Sequence, residues 1–323
     1  MRAVILYLFS VCFVAQSGVA TARSSVQLPK NFAAIHLQQS GDDSITLTVT
    51  VTNKRGAFIA GLSRSDFSVF EGKTPLDITS FSFGEEPMSI GIVYDESQLE
   101  APYSGRGVAA SKTLRPALER FVKLSNSSNN YFLIHVAKQP QVLVDWTRDQ
   151  NKLLTPLDDV QPENETALYD ACLMAAEKLR HSEHRKRVLL LISDGSDNSS
   201  RQDPGLLRAL MNSGILVYAI GTHDEHTIDK RSTQYLFGFA FLDSLSIDTG
   251  GGAIYPKNKS ELFATAELLA NELRQQYRIT CKPGPSKGDK KFRELKVKVT
   301  SPADAPRERR SLVVRSRRGY YAV

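Results

Sequence analysis

The apolar run from Ile90 to Tyr94 ends abruptly in Asp95, Glu96 and Ser97. An unbroken apolar run of this length is typical of a strand that is buried on both faces of a parallel sheet. Ligands of such sheets bind where the strands end, at their carboxyl edge. We therefore expect Asp95 and Ser97 to place two hard oxygen donors at the open edge of a buried sheet.

Strand-like and helix-like segments alternate after Met88. Continuous apolar runs predict strands at 89–94, 131–136, 188–193 and 215–220, with a hairpin partner at 141–146. Helices are predicted at 111–124, 166–180, 204–212 and 261–275. This alternation predicts a doubly wound α/β domain with a mostly parallel sheet that helices cover on both faces.

Two further segments of β structure flank this region. In residues 44–84, Ile45, Leu47, Val49 and Val51 alternate with threonines, which is the period of a half-buried strand. Strand-like runs return at 277–281, 294–300 and 311–314. Neither flank is large enough to bury a core alone, so we expect the two to pair with each other as a small β domain.

The first 22 residues have the pattern of a secretory signal peptide. Arg2 precedes an apolar stretch, and small residues at 20–22 offer a cleavage site. The stretch is shorter than the roughly 20 residues of a spanning helix, which favours cleavage over the alternative of a membrane anchor. The predicted organisation is a signal peptide at 1–22, an N-terminal β segment at 23–86, an α/β domain at 87–277 and a basic C-terminal β segment at 278–323. The mature chain is then exported, to the periplasm or outside the cell, with no transmembrane segment.

The formal net charge is +6, and the excess lies in the C-terminal segment between Lys287 and Arg318. Such a segment can bind an anionic envelope surface, or its cations can protect exposed sheet edges. Export argues against nucleic acid as the partner. Cys172 and Cys281 remain after signal removal; we expect Cys172 to be a buried apolar side chain, with a bridge between the two as the alternative.

Oxygen-bearing side chains recur at predicted boundaries between elements. Asp95 and Ser97 follow one strand, Thr166 begins a helix, and Asp194 follows another strand. Taken singly, Thr166 can be a helix cap and Asp194 part of a turn. Taken together, they are the ligand types that Mg²⁺ prefers. Two carboxylates placed close together would also repel each other without a cation between them.

These motifs resemble the von Willebrand factor type A domain. The resemblance rests on Asp95-x-Ser97, on the run from Thr166 to Ala171, and on the run from Leu191 to Asp197. The flanking β segments and the closing residues 318–322 resemble the secreted bacterial branch of this family, of the acidobacterial type. The resemblance implies a six-stranded, doubly wound sheet with a metal-ion-dependent adhesion site, whose ligands here are Asp95, Ser97, Thr166 and Asp194.

The sequence departs from the family pattern at Leu99, which stands where the family has a third loop hydroxyl. Glu165 also replaces a common glycine, and nothing in the sequence places Glu96 or Glu100 inward as substitute ligands. Leu99 cannot donate an oxygen. Two interpretations therefore remain open: a site that binds Mg²⁺, or alternatively Mn²⁺ or Ca²⁺, and a degenerate site.

The sequence shows no pattern of an enzyme active site. It has no Gly-x-Ser-x-Gly elbow and no His-Glu-x-x-His pair. We expect a non-enzymatic adhesion or scaffold module that binds a protein through an acidic side chain completing the metal shell. The alternatives are a structural module that contacts partners through its β segments, and a basic-tail binder of envelope polyanions. The aromatic run at 235–242 is expected to be mostly core, with an exposed contact patch as its alternative.

Overall fold

The computed structural model describes residues 44–96, 111–160, 165–201, 214–222, 233–284, 291–300 and 311–321. Several sequence predictions fall outside these ranges: the signal peptide, the residues Ser97 and Leu99, and the helix expected at 204–212. Within the described residues, no helix is both long and apolar enough to cross a membrane.

Fourteen strands are described, and their bounds mostly lie within two residues of the predicted ones. They are β1 (Ile45–Asn53), β2 (Phe67–Glu71), β3 (Thr74–Leu76), β4 (Ile78–Phe83), β5 (Met88–Asp95), β6 (Asn130–Val136), β7 (Gln141–Thr147), β8 (Lys186–Ser193), β9 (Ile215–Gly221), β10 (Gly252–Ile254), β11 (Tyr277–Cys281), β12 (Phe292–Val299), β13 (Leu312–Arg315) and β14 (Gly319–Tyr321).

Five α-helices are described. They are α1 (Ser111–Leu124), α2 (Gln150–Leu154), α3 (Leu168–Arg180), α4 (Thr233–Thr249) and α5 (Lys259–Arg274). The sequence analysis gave no bounds for α4, although Leu242 and Leu245 have the spacing of one helical face. Early in α4, Leu236 and Phe237 are 56% and 70% exposed, whereas Leu242 and Leu245 are buried. Of the run 235–242, Leu242 is buried and Phe241 packs partly buried against the core, so the expectation of a mostly core segment is right there and wrong for Leu236 and Phe237.

The central sheet has six strands in the order β10-β9-β8-β5-β6-β7. All neighbouring pairs are parallel except β6 with β7, which form the predicted hairpin. One apolar core contains residues of α1 and α5, and a second core contains residues of α3 and α4. The prediction of a doubly wound, mostly parallel six-stranded sheet is confirmed.

The flanking segments interleave into two four-stranded sheets, ordered β13-β1-β11-β4 and β14-β12-β2-β3. Strand β1 lies between two C-terminal strands, and β2 pairs with β12. The inward faces of both sheets share one apolar core. The predicted pairing of the two flanks is thus observed, while the domain boundaries proposed from the sequence stay predictions.

Cys172 and Cys281 are both free, and each is buried in a different core. Cys172 is an apolar core residue, as expected, and the alternative of a bridge to Cys281 is wrong in this structure. Burial raises the pKa of both thiols, which makes them poor nucleophiles.

Much of the described C-terminal charge is engaged in the fold. Arg317 is buried, and Arg315 forms an ion pair with the buried Glu272 on α5. Arg293 lies 3.6 Å from Glu71. The flanking β sheets and the α/β domain therefore meet partly through charged side chains of the C-terminal segment.

Candidate metal site

Asp95 and Ser193 are in direct contact at the ends of two neighbouring strands. Asp95 ends β5 and Ser193 ends β8. The parallel pairing of Tyr94 with Ile192 places the two strand ends side by side. Ser193 Oγ donates a hydrogen bond to Asp95 Oδ2 at 2.7 Å. The apolar runs thus deliver a carboxylate and a hydroxyl to the same point of the sheet edge.

Asp194 follows directly, and its carboxylate closes a tight turn with Ser196. The backbone N–H of Ser196 donates to Asp194 Oδ1 at 2.8 Å, and the hydroxyl of Ser196 donates to Oδ2 at 3.1 Å. A carboxylate offers about four lone-pair sites, so these two bonds leave acceptor capacity for a cation. Asp194 is therefore part of a turn, as one reading of the sequence held, and its oxygens remain suitable as ligands.

Thr166 is fixed at this edge by the loop that follows Asp194. Its backbone N–H donates to Asn198 Oδ1 at 2.8 Å, and its carbonyl accepts from the Asn198 N–H at 3.0 Å. The next residue, Ala167, donates to the carbonyl of Ala137, just beyond β6. Ala167, not Thr166, is the N-cap of α3, so the helix-cap interpretation of Thr166 is wrong.

The N-terminus of α3 is instead capped from a distance. Asp197 Oδ2 accepts from the backbone N–H of Tyr169 at 2.9 Å, and Ser200 Oγ accepts from that of Asp170 at 3.0 Å. Asp197 also accepts from the backbone N–H of Ser200 at 3.0 Å. A carboxylate at this position complements the partial positive charge of a helix N-terminus. Loop 194–201 and α3 are therefore one connected unit.

Two glycines bring α4 against this loop. Gly195 has a φ of +81°, and a Cβ at Gly195 would lie 2.3 Å from the carbonyl oxygen of Gly238. A Cβ at Gly238 would lie 2.5 Å from the carbonyl oxygen of Asp194. Only glycine allows two backbones to approach this closely. The exposed Leu236 and Phe237 consequently stand beside the residues that hold Asp194.

Four carboxyl groups are buried in this region: Asp95 and Asp194, which are 2% and 5% exposed, with Glu96 and Asp170. Sequence analysis gave no reason to place Glu96 inward, and the structure buries it. Burial, and next the charge of Glu96, raise the pKa of the Tyr94 phenol far above its usual value. The concentration of buried acids gives this edge a negative potential that a cation would offset.

The chemistry of the donors fits a magnesium-type cation. Asp95 and Asp194 supply two buried carboxylates, and the buried Thr166, whose backbone is bonded to the loop after Asp194, is a residue with a hydroxyl. No three His, Cys, Asp or Glu side chains in the described part of the chain are grouped to bind a metal ion. Two carboxylates with hydroxyl and water oxygens nevertheless suffice for Mg²⁺, which usually keeps several waters.

Three of the four predicted ligands, Asp95, Thr166 and Asp194, lie along this edge, and Ser97 lies outside the described residues together with Leu99. Their role as metal ligands stays a prediction.

Sequence reasoning gave no supporting role to four residues that hold this edge together: Ser193, Asp197, Asn198 and Gly238. For Ser193, the signal in the sequence was its place at the end of an apolar run, next to Asp194.

Residues 92–196 match the family model of the von Willebrand factor type A domain. This match begins within β5 and ends just after Asp194, so it covers the strand ends described above. Over residues 92–196, the chain is therefore similar to the von Willebrand factor type A domain. Its assignment to the secreted acidobacterial-type branch stays a prediction. No curated protein matches the sequence significantly.

Several solved structures resemble the chain. An aerotolerance-related membrane protein from Bacteroides fragilis has 16% identity and a TM-score of 0.45, covering 58% of this chain and 98% of its own. The minor pilin PilB from Streptococcus sanguinis has 12% identity and a TM-score of 0.46, covering 59% and 62%. The von Willebrand factor domain of a type V pili tip protein from Porphyromonas gingivalis has 13% identity and a TM-score of 0.43, covering 57% and 94%.

Proposed function

We propose that this chain is an exported, non-enzymatic binding protein that engages a protein partner through a divalent-metal site on its von Willebrand factor type A domain. The proposed cation is Mg²⁺, with Mn²⁺ or Ca²⁺ as alternatives. When bound, it offsets the two carboxylate charges and accepts an acidic side chain from the partner. The proposed ligands are Asp95, Ser97, Thr166 and Asp194.

The observation that carries this proposal is the joined pair of strand ends. Asp95 and Asp194 are buried at adjacent strand ends, linked through the hydroxyl of Ser193. Thr166 is bonded to the loop that Asp194 begins. Carboxylate and hydroxyl oxygens are the ligands that Mg²⁺ prefers, so two carboxylates at adjacent strand ends support a cation at this edge.

A protein partner is supported by the surface beside the site. Leu236 and Phe237 are more than half exposed on α4, next to Gly238 and the Asp194 loop. Neighbouring exposed apolar side chains at a polar site are typical of protein contact surfaces, whose centres are apolar and whose rims are polar.

Calorimetric titration of the purified chain with Mn²⁺ tests the metal site, because it measures the stoichiometry and the affinity of Mn²⁺ binding. We expect one Mn²⁺ per chain and at least about tenfold weaker binding in Asp95→Ala, because a charged ligand is lost. Asp145→Ala is the matched control, since Asp145 is an exposed carboxylate on β7 that pairs with Lys178 at 2.7 Å, away from the site.

Partner capture from the native envelope, with and without EDTA, tests the binding function. We expect EDTA and Asp95→Ala to abolish capture, and Asp145→Ala to leave it intact. The proposal is wrong if the chain binds neither Mg²⁺ nor Mn²⁺ and Asp95→Ala captures the same partner as the unchanged chain.

A degenerate metal site is the second candidate, and Leu99 is the observation that favours it. The chain would then act as a structural module that binds through its β sheets. Leu99→Ser restores the missing hydroxyl and separates the two candidates. A gain in Mn²⁺ affinity from undetectable to measurable indicates a degenerate site, whereas a small change on an already measurable affinity supports the functional one.

A further inference from the structure

We infer that Ser193 is a positioning residue of the metal site, which fixes the orientation of the Asp95 carboxylate. This inference rests on the proposed function. Ser193 is not one of the four proposed ligands. It stands between two of them, as the last residue of β8, where it is completely buried.

The hydrogen bonds of Ser193 have a fixed direction. The backbone N–H of Gly195 lies 2.9 Å from Ser193 Oγ and can only donate, so it occupies one lone pair of the hydroxyl. The hydroxyl proton is then directed to Asp95 Oδ2 at 2.7 Å. A hydroxyl donor this close to a carboxylate is typical of a charge-assisted bond, which is stronger than a neutral one.

This chain of bonds connects both carboxylates of the site. Gly195 belongs to the turn that Asp194 closes, so a single hydroxyl joins the turn to the end of β5. The Ser193 hydroxyl donates its hydrogen bond to Asp95 and accepts one from the Gly195 N–H. Ser193 therefore acts through Asp95 and is not a ligand itself. Both side chains are excluded from solvent, so water cannot replace the bond without a rearrangement.

Loss of this hydroxyl should therefore weaken cation binding without removing a ligand. Asp95 would lose a buried donor that selects one orientation of its carboxylate. Supporting hydrogen bonds of this kind typically change metal affinity by about 10–100-fold. The effect requires an intact Asp95, because within the described residues this is the side chain to which the Ser193 hydroxyl donates.

Mn²⁺ titration of Ser193→Ala tests the inference, with Ser246→Ala as the matched control. Ser246 is a completely buried serine on α4 whose hydroxyl makes no hydrogen bond to the described residues. We expect about tenfold weaker binding in Ser193→Ala and unchanged binding in Ser246→Ala. Ser193→Thr and Ser193→Val form a second, nearly isosteric pair, of which only threonine retains the hydroxyl and should bind the more tightly.

A double-mutant cycle separates positioning from general damage to the fold. In an Asp95→Ala background, Ser193→Ala should cause little further loss of Mn²⁺ affinity. An equal loss in both backgrounds overturns the inference, as does equal affinity of the threonine and valine variants. If the unchanged chain binds Mn²⁺ and Ser193→Ala binds it as tightly, only this inference fails. If the unchanged chain binds no metal, the proposed function fails and the inference with it.

Discussion

Gly195 meets two demands that a residue with a side chain cannot meet together. Its φ of +81° lies in the left-handed region, and a Cβ there would collide with the carbonyl of Gly238. Gly56 has nearly the same φ, +82°, but a Cβ there would meet nothing within 4 Å. Comparison of the two glycines therefore distinguishes the cost of a left-handed backbone, which both would have, from the cost of a steric clash, which only Gly195 would have. The clash is the effect that concerns the candidate site.

We predict that Gly195→Ala is the more destabilising of the two alanine variants. Gly56→Ala should lower the free energy of unfolding by about 1–2 kcal/mol, the usual cost of a left-handed residue. Gly195→Ala should cost about 1–3 kcal/mol more, because the Asp194 turn or α4 must move. Urea denaturation of both variants measures the difference, and equal losses would show that the contact with Gly238 is unimportant.

At the scale of elements, α3 depends on a distant loop for its first turn. Its own N-cap, Ala167, makes no side-chain bond, and Asp197 takes that role across 28 positions of the sequence. Helix α2, in contrast, has the local cap Asp149, which accepts from the N–H groups of Asn151 and Lys152. The sequence pattern predicts the start of this helix at Thr166. Distant capping starts it at Leu168.

We predict that Asp197→Ala loosens both α3 and the candidate site. The loss of the cap should cost about 1–2 kcal/mol, and hydrogen exchange should rise at the first turn of α3. Asp149→Ala is the control: it should cost about 1 kcal/mol and leave exchange in α3 unchanged. If Asp197→Ala leaves the exchange of Tyr169 and Asp170 as slow as before, the distant cap does not stabilise α3.

Helix α4 shows where sequence patterns fail for another reason. Apolar residues surround its whole circumference, so the run has no amphipathic period that would distinguish a helix from a buried strand. One side packs on the second core through Leu242 and Leu245, while Leu236 and Phe237 are exposed. Which apolar residues are buried depends on the partner surface, which the local sequence does not contain.

At the scale of the whole molecule, a buried polar network joins the α/β domain to the flanking sheets. Glu272, near the end of α5, accepts hydrogen bonds from Thr50 on β1, Tyr218 on β9 and Arg315 on β13. Gln276 donates to Thr50 Oγ1 and to the Tyr218 hydroxyl, each at 2.9 Å. The carboxylate is thus compensated by groups from both parts of the molecule.

We predict that Arg315→Met destabilises the whole chain by about 3 kcal/mol, because it removes the ion-pair partner of the buried Glu272 carboxylate. Adding Glu272→Leu should recover part of this loss, since the buried carboxylate is then removed as well. Arg318→Met is the control: its side chain is 64% exposed and lies 3.5 Å from Asp248, so about 0–1 kcal/mol is expected. Thermal unfolding compares the variants, and a double variant no more stable than Arg315→Met would contradict the role of charge.

By itself, the sequence determined the alternation of strands and helices and the positions of polar residues at strand ends. Apolar runs and periodicity are local properties, so β5, β6, β8 and β9 could be predicted within two residues. The tertiary structure decided which side chains meet. Ser193 reaches Asp95 across 98 positions, and Thr50 reaches Glu272 across 222. Such contacts form only when the pairing of the strands brings distant segments together, and no local pattern specifies that pairing.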